Sequence, residues 1–548
     1  MNTIVLANPR DPTFPSGMYA APEHLGLGYL AAALRSAGFE AQVVDGDAEG
    51  LSDSEVLARI VAAKPDLVGL TCTYLTMEAA GSLAEGVKAR IPGALIVLGG
   101  EHAAFAARAV LAREAAVAAV CLGEGEPVIV EMAQHLAAGK DWRRVSGLAF
   151  RDESGEFKQV FRPAADVDAL PAPARDVLLR CLARGMPAMI GFLTSRGCPN
   201  RCSFCNSHQF FDRTGRRPWR ARDPRRVAAE VQDVLQSVAR YGSLVYPIVY
   251  FYDFNFFGPP SGLAERVRCF AEAFEEQDMV VPFEINARAD TIATLGRRGL
   301  RRLRRIGLVS AFLGLEAGTR AALRVYRKGT TPQINSRAVS ELDRCRIASP
   351  TGGFIMFNPY TTPEEVRANA WFLHRIRRLT FWNVSQSVQV FPGSEMASRL
   401  EAEGLLDAAA VYSNALAYRF ADGRVGQLSR FLSGIKSTEL SRADAVLGYG
   451  EVLLSLLTLR LERGELPAAA AGPLARWRRH WTAVQAQVSD LTLDFLLAAL
   501  AHFERGCGPH PSSRLPRFLQ ALSQLIDRAE AVMGRGLDHI SQVGGEEG

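Results

Sequence analysis

Strand-like apolar runs alternate with amphipathic stretches through most of this 548-residue chain, in two separate blocks. In the first block the runs are Thr3–Ala7, Glu40–Asp45, Leu67–Thr73, Ala94–Gly100 and Val117–Gly123. Helical periodicity fills 25–38, 52–64, 76–90 and 103–114, and another helix follows at 127–138. Strands buried on both faces, with a helix in each interval, demand crossover connections and hence parallel pairing. The expected fold over 1–140 is therefore α/β, a doubly wound, Rossmann-like parallel sheet. Ligands of such sheets sit beyond the strand carboxyl ends. The loops there are Ala7–Pro22, Thr71–Thr76, Gly99–His102 and Gly123–Pro127.

Residues 141–187 read as a hairpin, Ser146–Pro163 turning at Asp152–Glu156, and a linker marked by Leu170-Pro171-Ala172-Pro173-Ala174-Arg175. The second block then places strands at 188–194, 247–253, 281–286, 309–316, 350–356 and 382–390. Six such units predict a partial (βα)6 barrel over 188–404, with its chemistry in loops at the strand carboxyl ends. From 405 to 548 the pattern is Ala/Leu/Arg-rich helix, a C-terminal helical domain expected to cap the barrel mouth and to fray from Gln542 onward.

A chain this long exceeds one compact core. Its 63 basic and 58 acidic residues leave a net charge of +5, too slight an excess to predict a nucleic-acid partner. Arg297-Arg298 and the run Arg301–Arg305 read as solvated helix faces. The slight basic excess favours an anionic substrate, including one tethered to an acidic carrier. No apolar run approaches the roughly 20 residues that span a bilayer, and Met1–Ala7 has no basic flank of a signal peptide. Nine cysteines, an odd number without framework spacing, fit a reducing compartment. The expectation is a cytoplasmic monomer with no membrane partner.

Three of those cysteines, Cys198, Cys202 and Cys205, share one loop directly after the first strand of the second block. Thiolates at offsets of four and three converge on one soft metal centre. Three ligands leave one iron of a four-iron cluster unclaimed by protein and open to a cofactor. His208 stands three residues further on, so a Cys3His zinc knuckle is the alternative at this point.

The spacing Cys-x3-Cys-x2-Cys, with aromatic Phe204 before the last cysteine, resembles the radical S-adenosylmethionine (SAM) superfamily. That resemblance covers about 188–400. It implies a [4Fe-4S] cluster on Cys198, Cys202 and Cys205, SAM on the open iron, and reductive cleavage of SAM to a 5′-deoxyadenosyl radical. By the same resemblance Phe204, Asp253, Arg288 and Glu316 contact SAM. Asp253 stands where the family presents an acidic pair, with Phe254 in place of the second carboxylate; it could accept from the methionine amine or simply cap a strand end. Arg288 could clamp a carboxylate or pair with Glu284 or Asp290. Glu316 could reach the ribose or the amine. Phe391-Pro392-Gly393-Ser394 resembles the turn near the adenine, and Lys328-Gly329-Thr330-Thr331 caps a helix.

Upstream, Gly26-Leu27-Gly28-Tyr29-Leu30, Gly99-Gly100-Glu101-His102 and Gly123-Glu124-Gly125-Glu126-Pro127 together resemble the cobalamin-binding domain fused before many such barrels. Glycines at strand ends allow close approach of a large planar ligand. The implied contacts are Thr71, Thr73, Tyr74, Leu75, Gly99, Gly100, His102, Gly123, Glu124 and Gly125. The Asp-x-His-x-x-Gly signature of cobalt-ligating histidine is absent, which implies base-off cobalamin with Tyr74 or Leu75 beneath cobalt. Cys72 is the competing thiolate.

The whole pattern resembles a cobalamin-dependent radical SAM methyltransferase. It implies transfer of a methyl group from methylcobalamin to an unactivated sp3 carbon of a natural-product-type substrate, small or carrier-bound, with an external flavodoxin- or ferredoxin-type electron donor. Three alternatives stand beside it: a cyclisation or rearrangement with the same cofactors and no net methylation, a radical SAM enzyme whose N-terminal sheet no longer binds cobalamin, and a non-enzymatic cobalamin or zinc-stabilised metal sensor. No second cysteine cluster follows residue 405, so no auxiliary cluster is expected.

Overall fold

A computed structural model describes residues 3–13, 22–212, 219–350, 353–407, 417–506 and 510–545. Residues 14–21 of the first strand-end loop, 351–352 of the fifth barrel strand, and 408–416, 507–509 and 546–548 of the helical domain lie outside the described residues. The chain divides into two compact units, Met1–Phe254 with Val390–Ala417, and Asn255–Gln389 with Tyr418–Gly548.

In the first unit, β1 (Ile4–Asn8), β2 (Ala41–Asp45), β3 (Leu67–Thr71), β4 (Leu95–Gly99) and β5 (Ala119–Cys121) pair in parallel in the order 2-1-3-4-5. Alternate residues feed two cores: Val5, Ala7, Val68 and Leu70 pack on one face, and Ile4, Leu6, Leu67 and Val97 on the other. Double-sided burial is what made these strands readable as unbroken apolar runs. The hairpin forms as expected, β6 (Leu148–Arg151) with β7 (Phe157–Val160), and β6 pairs antiparallel with β5. The sheet thus has seven strands, two more than the alternating pattern alone implied.

The Pro-rich segment is not a free linker. Ala174 N donates to Gly28 O at 3.0 Å. Half-buried Arg175 pairs with both Glu23 (2.5 Å) and Glu230 (3.2 Å). Proline composition marks extended backbone, and that backbone is packed against the helix Leu25–Ser36.

Next in the first unit come β8 (Gly191–Phe192), β9 (Ser195–Gly197), β10 (Trp219–Ala221) and β11 (Val249–Phe251). β8 pairs in parallel with β11, and β9 antiparallel with β10. Gly191 is required where the Tyr252 ring lies on the backbone: an added Cβ would stand 1.9 Å from it.

In the second unit β12 (Phe283–Arg288), β13 (Leu308–Glu316) and β14 (Gly353–Phe354) pair in parallel, with the helices Ala289–Arg305 and Pro332–Arg344 following β12 and β13. The expected sixth strand, 382–390, is not one. Phe381–Ser385 is helical, and only an isolated bridge, Phe357 to Ser387, follows. The aromatic and β-branched run Phe381-Trp382-Asn383-Val384 favours a strand by propensity. Local capping overrides it: Thr380 accepts from Asn383 N at 3.4 Å, and the Asn383 side chain donates to Arg378 O at 2.7 Å.

The C-terminal helices are Gly423–Gly434, Thr438–Glu462, Ala471–Arg505 and Leu515–Gly545. The last runs past Gln542, where fraying was expected. One stretch, Ala468–Arg505, also departs from the reading that nothing is apolar enough to span a bilayer: it passes by length and a mean hydropathy of 1.2. Asp490 and Asp494 interrupt it as an apolar run, and its window is half buried in the protein, with Leu493, Leu496 and Leu500 inside.

Asp444, on the helix Thr438–Glu462, has its carboxyl pushed up to about 7 by burial, against one backbone hydrogen bond from Trp382. The folded chain therefore keeps a proton that the unfolded chain releases from about pH 4 upward. Stability from this group is present below that value and is lost as pH rises through 7. Asp444→Asn is expected to match the parent near pH 4 and to exceed it by about 2–4 kcal/mol above pH 7. Urea midpoints of both proteins at acid and neutral pH measure the difference; parallel profiles would refute it.

Candidate functional site: a strand-end cavity and a cysteine loop

A cavity of about 290 Å3 opens at the carboxyl ends of β1, β3, β4 and β5, in the first unit. Strand order reverses between β1 and β3, and that is where open α/β sheets form a ligand crevice. Six residues expected at cobalamin line it: Thr71, Gly99, Gly100, Gly123, Glu124 and Gly125. Gly100 is obligatory, with φ +103° and a Cβ position 2.4 Å from Cys72 O. Beyond Gly99 an added Cβ meets nothing within 4 Å. The walls are mainly apolar, with side chains such as Leu6, Leu27, Val97 and Met132. A crevice of this volume has room for part of a cobalamin rather than the whole molecule.

Thr73, Tyr74, Leu75 and His102 do not line this cavity. Thr73 N donates to Thr76 Oγ1 at 3.0 Å and Leu75 N to Thr73 Oγ1 at 3.2 Å, so their loop is a hydroxyl-braced turn into the next helix. The Tyr74 ring stands 5.3 Å from Phe391 and 6.5 Å from His102. Cys72 is buried, with its thiol pushed up to about 12, which makes it inert as a thiolate. Tyr29, from the first glycine motif, also lines the cavity, and sequence reasoning missed His24, Arg196, Phe210 and Tyr252, which line it too. His24 caps the first helix, Nδ1 accepting from Leu27 N at 3.2 Å while Nε2 lies 3.5 Å from Thr71 Oγ1. Its place two residues before Gly26 was the available signal.

The cavity rim is tied to the cysteine loop. Arg196, in β9, pairs with Glu126 at 2.6 Å and with Glu124 at 3.3 Å. Arg220, in β10, pairs with Glu124 at 2.6 Å. Burial pushes the Glu124 carboxyl up, but Arg220 and Arg196 outweigh it and hold the group below the usual range. Arg196 also lies over the Tyr29 ring, 4.9 Å from its centroid.

Two residues after Arg196 the cysteine loop begins. Asn200 Nδ2 lies 3.7 Å from Cys198 Sγ, and Cys205 N donates to Cys202 O at 3.2 Å. Half-buried Phe204 occupies the turn between the last two cysteines. Ser203 O accepts from Met396 N at 2.8 Å, and Pro392 O accepts from Asn206 Nδ2 at 3.3 Å, so the Phe391–Ser394 turn packs against this loop. Burial first, then the Glu101 and Cys202 charges, pushes the Cys205 thiol up to about 11. Such a thiol becomes a thiolate when a metal displaces its proton, so the donor set fits an iron–sulfur cluster. Among the described residues no three Cys, His, Asp or Glu side chains stand close enough to share one ion, the cysteine triad included.

Asp253, at the end of β11, is buried and accepts from Thr194 Oγ1 (2.9 Å), Ser195 Oγ (2.5 Å) and Thr194 N (3.2 Å). This is the strand-end cap. Burial pushes its carboxyl up to about 6 despite those bonds.

Arg288 and Glu316 belong to the second unit. Arg288 grips Asp290 with two bonds, 3.0 and 2.8 Å, and also donates to Lys328 O. Glu316 ends β13 with φ +60°, a conformation that costs a non-glycine residue about 1–3 kcal/mol. Lys328 Nζ holds it at 2.6 Å, both groups buried. Lys328-Gly329-Thr330-Thr331 therefore does more than cap a helix: it joins Arg288 to Glu316, while Thr331 caps Pro332–Arg344.

Two family matches cover both cofactor regions: the B12 binding domain over residues 20–133 and the Radical SAM superfamily over 192–371. An uncharacterized methyltransferase of Pyrococcus horikoshii is 27% identical over 355 residues, 64% of this chain and 73% of that protein. The anaerobic magnesium-protoporphyrin IX monomethyl ester cyclase of Rubrivivax gelatinosus is 28% identical over 333 residues, 58% of this chain and 56% of that protein. Among solved structures, the cobalamin-dependent SAM radical enzyme OxsB with aqua-cobalamin bound superposes with a TM-score of 0.69. That alignment covers 97% of this chain and 84% of OxsB at 18% identity, a likeness of fold.

Proposed function

Because this chain, with its B12 binding and radical SAM domains, belongs to the cobalamin-dependent radical SAM enzymes, we propose that it is a C-methyltransferase acting on an unactivated sp3 carbon. Its cofactors are cobalamin, SAM and a [4Fe-4S] cluster. When bound, they supply a carbon-centred radical and a methyl group, chemistry that belongs to the cofactors.

The chain's own part is to hold and orient. Cys198, Cys202 and Cys205 carry the cluster. Glycines 99, 100, 123 and 125 leave the strand-end crevice free for part of the cobalamin. Phe204, Arg288 and Glu316 are the SAM contacts, with Asp253 fixing the Thr194–Ser195 turn behind the cysteine loop. The helices after 405 select a small or carrier-bound substrate. An external one-electron donor of the flavodoxin or ferredoxin type and a reducing, cytoplasmic setting complete the reading.

The observation that carries it is Arg196. One half-buried guanidinium joins the loop of the cobalamin crevice to the strand that enters the cysteine loop. Such a tie suits two cofactors acting on one substrate carbon, because it fixes the crevice loop against the cysteine loop. The relative named a cyclase favours a second reading, the same cofactors without net methylation.

Anaerobic turnover with methyl-labelled SAM separates the two. Methyl transfer predicts a product heavier by one labelled methyl, with one S-adenosylhomocysteine and one 5′-deoxyadenosine per turnover. 5′-Deoxyadenosine with an unmethylated product would overturn it in favour of the cyclase.

A further inference from the structure

A second cavity, of about 260 Å3, lies within the second unit and involves none of the residues assigned above to cobalamin, SAM or the cluster. Arg346, Arg377, Arg378 and Arg478 line it, with Asp343 and Glu451 as its acids. Buried Arg378 is neutralised there, by Asp343 at 2.9 Å and Glu451 at 3.2 Å. Arg304, behind the wall, and Arg346 share one carboxylate, Glu462, at 3.2 and 3.0 Å.

Arg478 is the odd member. It is partly buried, and it donates to the Thr458 hydroxyl at 2.8 Å. Among the described residues no carboxylate pairs with it. Burial and the Arg346 charge both depress its pKa, opposed by Glu462 alone. Five guanidinium groups thus face three carboxylates. Arg346 and Arg377 sit just past the ends of Pro332–Arg344 and Pro363–Arg375, with φ +58° and +56°. The helix carboxyl ends offset part of the surplus but not its sign. A partly buried, unpaired guanidinium is costly unless an anion joins it.

We propose that this cavity binds a phosphoryl group, gripped by Arg478 and Arg346. Two planar forks converging from different elements suit a tetrahedral oxyanion with several acceptor oxygens better than one planar carboxylate. The cavity stands at the amino end of β13: Ala348, in its lining, donates to Val309 O at 2.8 Å, and Ser455 Oγ to the same oxygen at 2.7 Å. Glu316 ends that nine-residue strand roughly 25 Å away. Barrel chemistry belongs to the carboxyl end, so the ligand here is an effector or a structural ion, not the reacting substrate.

The anaerobically reconstituted enzyme is titrated with inorganic phosphate, and separately with glycerol phosphate, against chloride at equal ionic strength, reading melting temperature and 31P line width. A saturable rise with phosphate is expected. A matching rise with glycerol phosphate assigns a phosphomonoester ligand, and none assigns the free ion; both support the site. Arg478→Gln is expected to melt no lower than the parent in chloride and to weaken phosphate about tenfold or more, the worth of one charge-assisted hydrogen bond. Arg478→Lys is expected to recover part of the affinity. Equal melting in phosphate and chloride, or an undiminished phosphate response in Arg478→Gln, would overturn the proposal.

Discussion

Alanine at Cys202 is expected to abolish SAM cleavage while leaving cobalamin binding intact. Cys202 is buried at the centre of the loop, and its carbonyl accepts from Cys205 N, a bond that alanine keeps. The backbone of the loop is also held from outside, by Met396 N on Ser203 O and by Asn206 on Pro392 O. Removing one sulfur therefore removes a ligand without removing the loop. Anaerobic reconstitution should give a protein with little iron and sulfide, no broad cluster absorbance near the visible edge, and 5′-deoxyadenosine at background under dithionite. The same should hold at Cys198 and Cys205. Added hydroxocobalamin should still bind, since no cysteine of the triad lines the strand-end cavity. Persisting cleavage in any of the three variants would refute the cluster assignment. Joint loss of cobalamin and cluster would mean a folding defect instead.

The second large effect is expected at Arg196. Its side chain is 13% exposed, and those of Glu124 and Glu126 are 4% and 6% exposed. Burial works against the guanidinium charge, but Glu126 and Glu124 more than offset it and hold the group protonated. Arg196→Met keeps most of the volume and removes the charge. Glu126 then loses a partner at 2.6 Å, and Glu124 keeps Arg220. Breaking a buried pair from one side costs about 3–5 kcal/mol. The loss should appear as a lower denaturation midpoint and as weaker cobalamin retention on gel filtration. Adding Glu126→Gln should return part of it, because the stranded charge is then gone; a double-mutant cycle isolates that coupling. An unchanged midpoint in Arg196→Met would show that the pair contributes nothing.

What the sequence disclosed, and what it concealed, follows from the range of each interaction. Double-sided burial leaves a local trace, so β1 to β5 and their helices were legible to within a few residues. The cysteine spacing and the glycine clusters are local too, and six of the residues expected at cobalamin, five of them in glycine loops, do meet at one cavity. The sixth barrel strand failed because Phe381-Trp382-Asn383-Val384 has strand propensity, while the helix there is fixed by Thr380 and by Asn383 bonding back to Arg378. The packing of the Pro-rich linker was not legible because nothing local announces that Arg175 will pair with Glu23, 152 positions earlier, and with Glu230. Arg196 was passed over as a residue of the cysteine loop for the same reason: its partners are 70 and 72 positions away. Arg288 and Glu316 were named from the sequence as single positions. Their joining through Lys328 depends on a left-handed residue at the end of β13 that no pattern reveals.

The hairpin β6–β7 changes what the first sheet shows to its surroundings. Without it the sheet would end at β5, Ala119-Val120-Cys121, three wholly buried residues with an open row of backbone donors and acceptors. An apolar edge of that kind recruits strands from other chains. With the hairpin in place the edge passes to β7, whose residues are largely exposed and whose Lys158 is held near Asp152 and Glu156. A lysine on an edge strand discourages further pairing. The short stretch between the two α/β blocks thus acts as a hem, finishing a parallel sheet that would otherwise fray into aggregation.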